Sequence, residues 1–281
     1  MIALVILFLA VSGCAPATYS DTFSRKFMFP LSAAAYSAWP QRCINRLFPN
    51  STVYRQIEAK CDQDVCFGYT AVLHPQKAIV MSFRGTDTVL QLIQEINKTV
   101  FVSWYRWIFG GQVSMYFGDA FVKIWNEGMG EDFVALRKMY PDYEIWVTGH
   151  SLGGAIASLA SSYIIAGGYA DAKKTKLVTF GQPRTGDVGY SAAHNTQAEY
   201  SFRVTHYRDI VPHIPMGKSG GYHHHRREAF YQRGMKSDEF RVCEGNESSD
   251  CSNGLYFTNS IKDHTHYFGK QVSEYGISGC V

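Results

Sequence analysis

The alternation of apolar and polar positions predicts strands that alternate with helices along the chain. Five short runs rich in β-branched and aromatic residues have the length of strands, namely 66–74, 77–83, 143–149, 176–183 and 201–207. Apolar residues at helical spacing mark four further segments, namely 31–39, which should stop at Pro40, 119–140, 152–166 and 187–195. We therefore expect an α/β fold with a mostly parallel central sheet and helices on both faces. Two later runs, 228–232 and 239–243, are expected to extend the sheet as antiparallel strands.

The stretch YEIWVTGHSLGGAIASLA, residues 143–160, joins a strand directly to a helix at Ser151. Gly149 and Gly153 stand two residues before and two residues after the serine, where side chains would clash in a sharp strand-to-helix turn. Backbone N–H groups of the helix that starts at Leu152 point toward any negative charge that forms above the serine. This pattern predicts an exposed nucleophilic hydroxyl at the carboxyl edge of the sheet.

A serine nucleophile needs a histidine base and a carboxylate that orients the base. The acid candidates after Ser151 are Asp187, Asp209 and Asp250, and the base candidates are His206, His213, His223, His224, His225, His264 and His266. Asp209 follows the strand 201–207 at the expected edge, whereas Asp187 is better placed to cap the next helix. His264 and His266 lie in one polar stretch, and their chemistry alone does not choose between them.

The oxyanion that forms when a serine attacks a carbonyl group needs a second backbone donor from an earlier strand end. Strand 77–83 ends at Arg84 and Gly85, which lets the backbone turn close to the serine. Thr86 is then expected to offer its N–H and its hydroxyl to the developing oxyanion. The alternative interpretation is an ordinary turn bent at Gly85.

Composition and charge favour one large domain and exclude nucleic acid as a partner. Of the 281 residues, 46% are hydrophobic and only 18% are charged, which is enough apolar material for a sizeable core. The formal charge is +3, without a run of like charge. The cluster YHHHRRE at 222–228 holds three adjacent histidines that cannot all face one ion from a strand, so no metal and no cofactor are expected.

The N-terminal stretch and the cysteines indicate a secreted protein. Residues 2–13 are apolar but too few to span a bilayer comfortably, and small residues follow, so we expect a signal peptide at 1–17 and one domain at 18–281. The stretch VSGC at 11–14 also fits a lipidation box at Cys14. Cleavage leaves six cysteines, hence three disulfides. Sequons at three positions predict glycosylation, namely at Asn50, Asn97 and Asn246.

The motifs in combination resemble the class 3 lipases, the fungal-type triacylglycerol lipase family with the α/β-hydrolase fold. The resemblance runs from about Arg42 to the C-terminus and rests on VMSFRGT, VTGHSLGGAIASL, TFGQPRTGD, RDIVPHIP and DHTHYFG. It implies Ser151 as nucleophile, Asp209 as acid and His264 as base, with Thr86 and Leu152 as oxyanion donors. The cysteine spacing is also similar, which supports the pairs Cys43–Cys280, Cys61–Cys66 and Cys243–Cys251.

The resembling lipases carry a mobile lid helix over the site, after the oxyanion strand. Residues 88–98 of this chain show one apolar stripe at helical spacing, namely Val89, Leu92, Ile93 and Ile96. Trp104 and Trp107 follow, and we expect this segment to line the substrate site and to meet lipid when it opens. A core helix is the alternative interpretation.

The resemblance implies a secreted serine carboxylic-ester hydrolase, in the first place a triacylglycerol lipase that works through an acyl-enzyme. Its partner would be a lipid ester at an oil–water or membrane interface, and the chain is expected to be a monomer without a stable membrane span. Phospholipase A1 or a feruloyl-type esterase would use the same chemistry. A non-catalytic secreted lipid-binding protein would show degenerate triad positions, and none is degenerate here.

Overall fold

The structure is a computed structural model that describes residues 17–61, 64–86, 103–215, 221–237 and 239–281. Its main sheet has eight strands, in the order β1-β2-β3-β6-β7-β9-β11-β12. Their bounds are β1 Ser51–Cys61, β2 Asp64–Leu73, β3 Ala78–Phe83, β6 Glu144–His150, β7 Thr175–Phe180, β9 Tyr200–His206, β11 Glu228–Tyr231 and β12 Phe240–Cys243. The five strands from β3 to β11 are parallel. The alternating pattern predicts this direction for β3, β6, β7 and β9, but not for β11.

Two smaller sheets and nine α-helices complete the described part of the chain. A four-stranded sheet has the order β10-β8-β5-β4, with β4 Trp104–Arg106, β5 Gln112–Ser114, β8 Gly186–Asp187 and β10 Tyr222–His223, and a hairpin joins β13 His266–Tyr267 to β14 Lys270–Gln271. The helices are α1 Asp21–Phe23, α2 Phe29–Ala34, α3 Pro40–Leu47, α4 Met115–Ile124, α5 Gly130–Met139, α6 Leu152–Ala166, α7 Val188–Gln197, α8 Ile261–Thr265 and α9 Val272–Ile277. π-helical turns, Ser24–Met28 and Trp125–Met129, link α1 to α2 and α4 to α5.

The central strands are buried on both faces because helices cover both sides of the sheet. Successive side chains of a strand point to opposite faces. Ile79 and Met81 of β3 therefore join one apolar cluster with α4, α5 and α6, while Ala78 and Val80 join a second cluster with α2 and α3. All six residues of β3 are buried, which explains its continuous apolar run.

Three features differ from the expected elements. The predicted helix 31–39 is α2, which ends at Ala34, and Pro40 begins α3 instead of only ending a helix, because proline fits the first helical turn. Strand β1 was not predicted, since its outer face is exposed and its sequence is largely polar. β11 lies parallel to β9, and only β12 is antiparallel. The connection 207–227 is long enough to return the chain to the start of the sheet, as parallel pairing requires.

Two expected segments lie outside the described residues. They are most of the signal peptide at 1–17 and the lid segment at 88–98, with Val89, Leu92, Ile93, Ile96 and the sequon at Asn97. Within the described ranges, no helix has both the length and the apolar character needed to cross a bilayer.

Three disulfides are present, Cys43–Cys280, Cys61–Cys66 and Cys243–Cys251, in the pairing that the resemblance implies. The first links α3 to the chain end beyond α9 and encloses a separation of 237 residues, whereas Cys61 and Cys66 are only 5 residues apart. A disulfide restricts the unfolded chain more when its loop is longer. The terminal link should therefore contribute most to stability.

Replacing Cys43 and Cys280 together by alanine is expected to lower the free energy of unfolding by about 5 kcal/mol, against about 2 kcal/mol for the matched Cys61→Ala/Cys66→Ala variant. All four cysteines are buried, so the two variants differ mainly in loop length. Urea unfolding of both variants measures the difference. Equal losses would show that loop length does not govern the effect.

Candidate active site

Ser151 occupies the turn between β6 and α6 in a strained, left-handed backbone conformation, with φ 58° and ψ −130°. The flanking glycines have no room for side chains. A Cβ on Gly149 would lie 2.1 Å from the carbonyl oxygen of Gly153, and a Cβ on Gly153 would lie 2.2 Å from that of Phe83. The G-x-S-x-G pattern is therefore a packing requirement of this turn, which fixes the serine at the carboxyl end of β6.

Ser151 is fully buried, contrary to the expectation of an exposed hydroxyl. The turn packs beneath the end of β3, because a Cβ on Gly85 would lie only 3.0 Å from the Ser151 Cβ and 2.7 Å from the His150 carbonyl oxygen. The Ser151 hydroxyl forms no hydrogen bond with the described residues. A buried hydroxyl without a partner is costly, and here it lies in the strained turn between β6 and α6.

His264 and Asp209 are brought together by α8 and by the loop after β9. The His264 Nδ1 lies 3.0 Å from each carboxylate oxygen of Asp209. Because a carboxylate only accepts, Nδ1 carries the proton and Nε2 keeps a free lone pair. That Nε2 is buried and has no hydrogen-bond partner among the described residues. The imidazole is thus oriented as a base with an unused acceptor nitrogen.

Asp209 is held by two further donors, the backbone N–H of Val211 at 2.8 Å and the hydroxyl of Tyr267 at 2.7 Å. Burial alone would raise the pKa of Asp209, but its contact with His264 and these hydrogen bonds lower the pKa below its usual value. The carboxylate therefore stays ionised although it is 1% exposed. It is suited to orient an imidazole and to balance its charge.

The loops that carry these two residues are joined by their backbones. Asp209 forms a parallel bridge with Ser260, and the Ser260 hydroxyl caps α8 by accepting from the Asp263 N–H at 3.0 Å. At the end of β7, Gly181 has φ 56°, and a Cβ there would lie 2.8 Å from both the Asp209 Oδ2 and the His264 Nδ1. A glycine at this position gives the carboxylate and the imidazole room to meet.

His150, directly before Ser151, packs against His264. Its ring stacks on His264 with centroids 4.6 Å apart, and its Nε2 donates to the His264 carbonyl oxygen at 2.8 Å. The Tyr36 hydroxyl donates to its Nδ1 at 2.7 Å. Burial, with a smaller effect of His264, lowers the pKa of His150 to about 3. His150 thus remains neutral and adds no charge beside His264.

The expected oxyanion donors lie next to the nucleophile turn. Helix α6 begins at Leu152, and no side chain of the described residues caps its first turn, which leaves backbone N–H groups at that end. The Thr86 hydroxyl is buried and has no partner in the described part of the chain. Thr86 follows Gly85, which contacts the serine turn. Both positions therefore offer donors near the place where an oxyanion would form.

None of the other candidates, all of which lie within the described ranges, forms a hydrogen bond with the side chain of Asp209 or His264. Asp187 caps α7, since its carboxylate accepts from the Tyr190 N–H at 2.7 Å, and Asp250 is exposed. The ring nitrogens of His206 and His266 contact carbonyl oxygens of the backbone. His224 and His225 are buried, and His213 and His223 are partly buried. Among the described residues, no group of three or more His, Cys, Asp or Glu side chains is arranged to hold a metal ion.

The two tryptophans expected in the lid lie in the body of the fold. Trp107 is 3% exposed, belongs to the core around α4 and α6, and donates from Nε1 to the Ser162 hydroxyl at 3.0 Å. Its expected exposure to lipid is wrong, because core packing and this hydrogen bond hold the indole inside. Trp104 lies in β4 and stacks on Tyr222, with ring centroids 4.2 Å apart.

The sequence did not point to a buried ion pair that fixes the chain beyond Asp209. The Arg184 guanidinium makes two hydrogen bonds of 2.9 Å with the Glu247 carboxylate and donates to the carbonyl oxygens of His213 at 2.7 Å and Pro215 at 2.9 Å. Burial would raise the pKa of Glu247, but Arg184 lowers it far below its usual value. An arginine directly after GQP was a visible signal, but its partner lies 63 residues away.

Comparison with known proteins gives consistent matches. The family model described as Lipase (class 3) matches residues 80–219. A Caenorhabditis elegans lipase is 35% identical over 95% of this chain and 84% of its own length. A Rhizomucor miehei lipase is 34% identical over 69% of this chain, and the match spans 53% of that protein. The chain thus spans about half the length of this curated fungal relative.

The fold is shared with a solved triacylglycerol lipase whose catalytic centre is described as a serine protease triad. The two structures superpose with a TM-score of 0.79 at 26% sequence identity, and the match covers 91% of this chain and 97% of the other.

Substituting Gly153 by alanine is expected to reduce the free energy of unfolding by about 3 kcal/mol or more, because the new Cβ would overlap the Phe83 carbonyl. Gly234→Ala is the matched control, since its nearest neighbour would be the flexible Lys236 side chain at 3.7 Å, and it should stay within about 0.5 kcal/mol of the parent. Thermal and urea unfolding measure both variants. A tolerated Gly153→Ala would contradict the described turn.

Substituting Glu247 by glutamine should lower the free energy of unfolding by about 3 kcal/mol, since it leaves the buried Arg184 charge without a counter-charge. Glu244→Gln removes a comparable carboxylate from Arg227, but Glu244 is 64% exposed, so we expect a loss below about 1 kcal/mol. Urea unfolding at neutral pH compares the two. Similar losses would argue against a special role for the Arg184–Glu247 pair.

Proposed function

The chain belongs to the class 3 lipase family, and from this premise we propose that it is a serine ester hydrolase that releases fatty acids from glycerolipids, most simply triacylglycerols. The observation that carries the proposal is the pair of unpaired atoms in the site. Ser151 Oγ and His264 Nε2 are both buried and unpartnered in the described structure, while the opposite ring nitrogen of His264 is bound to Asp209. A nucleophile, its base and an orienting acid explain all three features.

In the proposed reaction, Ser151 Oγ attacks the ester carbonyl carbon while His264 Nε2 accepts the hydroxyl proton. The oxyanion is stabilised by the Leu152 N–H and by donors of Thr86. His264 then protonates the leaving alcohol as the ester bond breaks, which leaves an acyl-enzyme on Ser151. Water, deprotonated by His264, attacks the acyl carbon, releases the fatty acid and restores the serine. Asp209 holds the imidazole and balances its charge throughout.

A glycerolipid is favoured because the matched family is that of lipases and a structural neighbour is described as a triacylglycerol lipase. The same residues would also serve a phospholipase A1 or a feruloyl-type esterase, which differ in the leaving group and not in the triad. Comparing initial rates on triolein, phosphatidylcholine and methyl ferulate separates these activities.

We also propose that the protein is secreted as a monomer. Three disulfides fit an oxidising compartment. Of the two described sequon residues, Asn50 is exposed, while the Asn246 side chain donates to the buried Ser191 hydroxyl at 2.9 Å. A glycan therefore fits Asn50 better than Asn246.

Replacing Ser151 by alanine should abolish hydrolysis of tributyrin, and Asp209→Asn should lower the rate by about 10⁴-fold by misorienting His264. Asp187→Asn is the matched control, because asparagine caps a helix as well as aspartate and the rate should stay near that of the parent. A pH-stat assay measures the rates, and circular dichroism verifies folding.

A near-parental rate of the folded Asp209→Asn variant would show that Asp209 does not orient His264 in the reaction. Turnover by the Ser151→Ala variant at the parental rate would contradict the whole proposed mechanism.

A further inference from the structure

The loop before His264 exposes large apolar side chains to solvent. Tyr256 is fully exposed, Phe257 is 66% exposed and Ile261 is 37% exposed, within six consecutive residues. We call residues 256–261 the aromatic loop. Exposed large apolar side chains that cluster in this way mark a surface that meets a partner or a membrane. Burial of these side chains in the core would be more favourable than their exposure to water.

The aromatic loop is attached to the loop that carries Asp209. The Ser260 N–H donates to the Arg208 carbonyl oxygen at 2.9 Å, and Asp209 forms a backbone bridge with Ser260. The Arg208 N–H in turn donates to the Asp263 carboxylate at 3.2 Å. Whatever binds the aromatic loop is therefore held at the same edge of the sheet as Asp209 and His264.

Basic side chains accompany the apolar ones. Arg208 and Lys262 are exposed, and neither forms an ion pair with a described residue. The nearby Asp263 carboxylate accepts from the Arg208 backbone N–H. The Arg208 guanidinium lies 5.2 Å from the Tyr207 ring. The surface thus combines unpaired positive charge with an exposed aromatic pair.

We propose that the aromatic loop, together with Arg208 and Lys262, is a docking surface for an anionic lipid surface. Aromatic side chains favour the boundary between water and hydrocarbon, and exposed cations are attracted to anionic headgroups. Charge complementarity selects this occupant over a zwitterionic membrane. The use of the surface, to hold the site against its substrate phase, rests on the proposed function, but binding itself does not require turnover.

The test uses the full chain with Ser151→Ala, so that vesicles are not hydrolysed. Binding is measured by co-sedimentation with vesicles of phosphatidylcholine alone and of phosphatidylcholine mixed with phosphatidylglycerol. Two double variants remove the proposed contacts, Tyr256→Ser/Phe257→Ser and Arg208→Gln/Lys262→Gln. The matched controls, Tyr169→Ser and Lys173→Gln, change exposed residues beyond the far end of α6, which is 15 residues or about 22 Å long.

The parent should bind the anionic vesicles more tightly than the zwitterionic ones. Removing the two charges should weaken anionic binding by about fivefold for each charge. Removing the aromatic pair should weaken it by about tenfold or more. The two control variants should bind like the parent.

Equal binding to both kinds of vesicle, unchanged binding by the loop variants, or equal losses in the controls would overturn the inference. No vesicle binding by the parent would also overturn it and would leave the surface to a protein partner. Turnover of a dissolved butyrate ester by the chain with Ser151 intact tests the proposed function separately. Binding to anionic vesicles without ester hydrolysis would refute only the proposed function. Ester hydrolysis without binding to anionic vesicles would refute only the docking surface.

Discussion

The contact between His264 Nδ1 and the Asp209 carboxylate is the interaction on which the site depends. It joins a loop after β9 to a helix near the C-terminus, 55 residues later. The carboxylate is buried, so its charge is acceptable only because the imidazole, the Tyr267 hydroxyl and the Val211 N–H all donate to it. Removing any of these donors would raise the pKa of Asp209. The opposite nitrogen, Nε2, is left buried and without a hydrogen-bond partner among the described residues.

The surrounding fold serves to keep that contact in place. Gly181 leaves space for it, His150 supports the imidazole without adding charge, and the Arg184–Glu247 pair holds the backbone that follows Asp209. Glu247 comes from the loop that the Cys243–Cys251 disulfide closes. A short loop closed by a disulfide at one edge of the sheet therefore helps to position Asp209. The geometry of the contact between His264 and Asp209 therefore depends on distant parts of the chain.

Much of this arrangement could be predicted from the sequence. Strand β3 was visible because all six of its residues are buried, and Ser151 was visible because two glycines flank it in a strand-to-helix turn. Strand β1 was hidden by its polar outer face, and the parallel direction of β11 depends on a connection whose path no local pattern specifies. Local sequence patterns indicate which residues are buried and where the chain turns. The direction of a strand depends on the path of the connection that leads to it, which these patterns do not specify.

The site was predictable only in part for the same reason. Asp209 stood out because it follows a strand, but chemistry alone left His264 and His266 open, and the resemblance chose between them. Tyr267 and Glu247 gave no signal, because their partners are distant in sequence. Trp107 was assigned to the lid from its aromatic neighbours, although its indole is bound to Ser162 in the core.

The central claim, that Ser151 is the nucleophile activated by His264, is tested most directly by covalent labelling. The chain is treated with diethyl p-nitrophenyl phosphate, and the modified peptide is sequenced by mass spectrometry. Helix α6 supplies internal controls, since Ser158, Ser161 and Ser162 are buried in the same helix. The account predicts one diethylphosphoryl group per chain, on Ser151, and none after His264→Ala. A folded chain that is labelled at another serine, or at none, would contradict it.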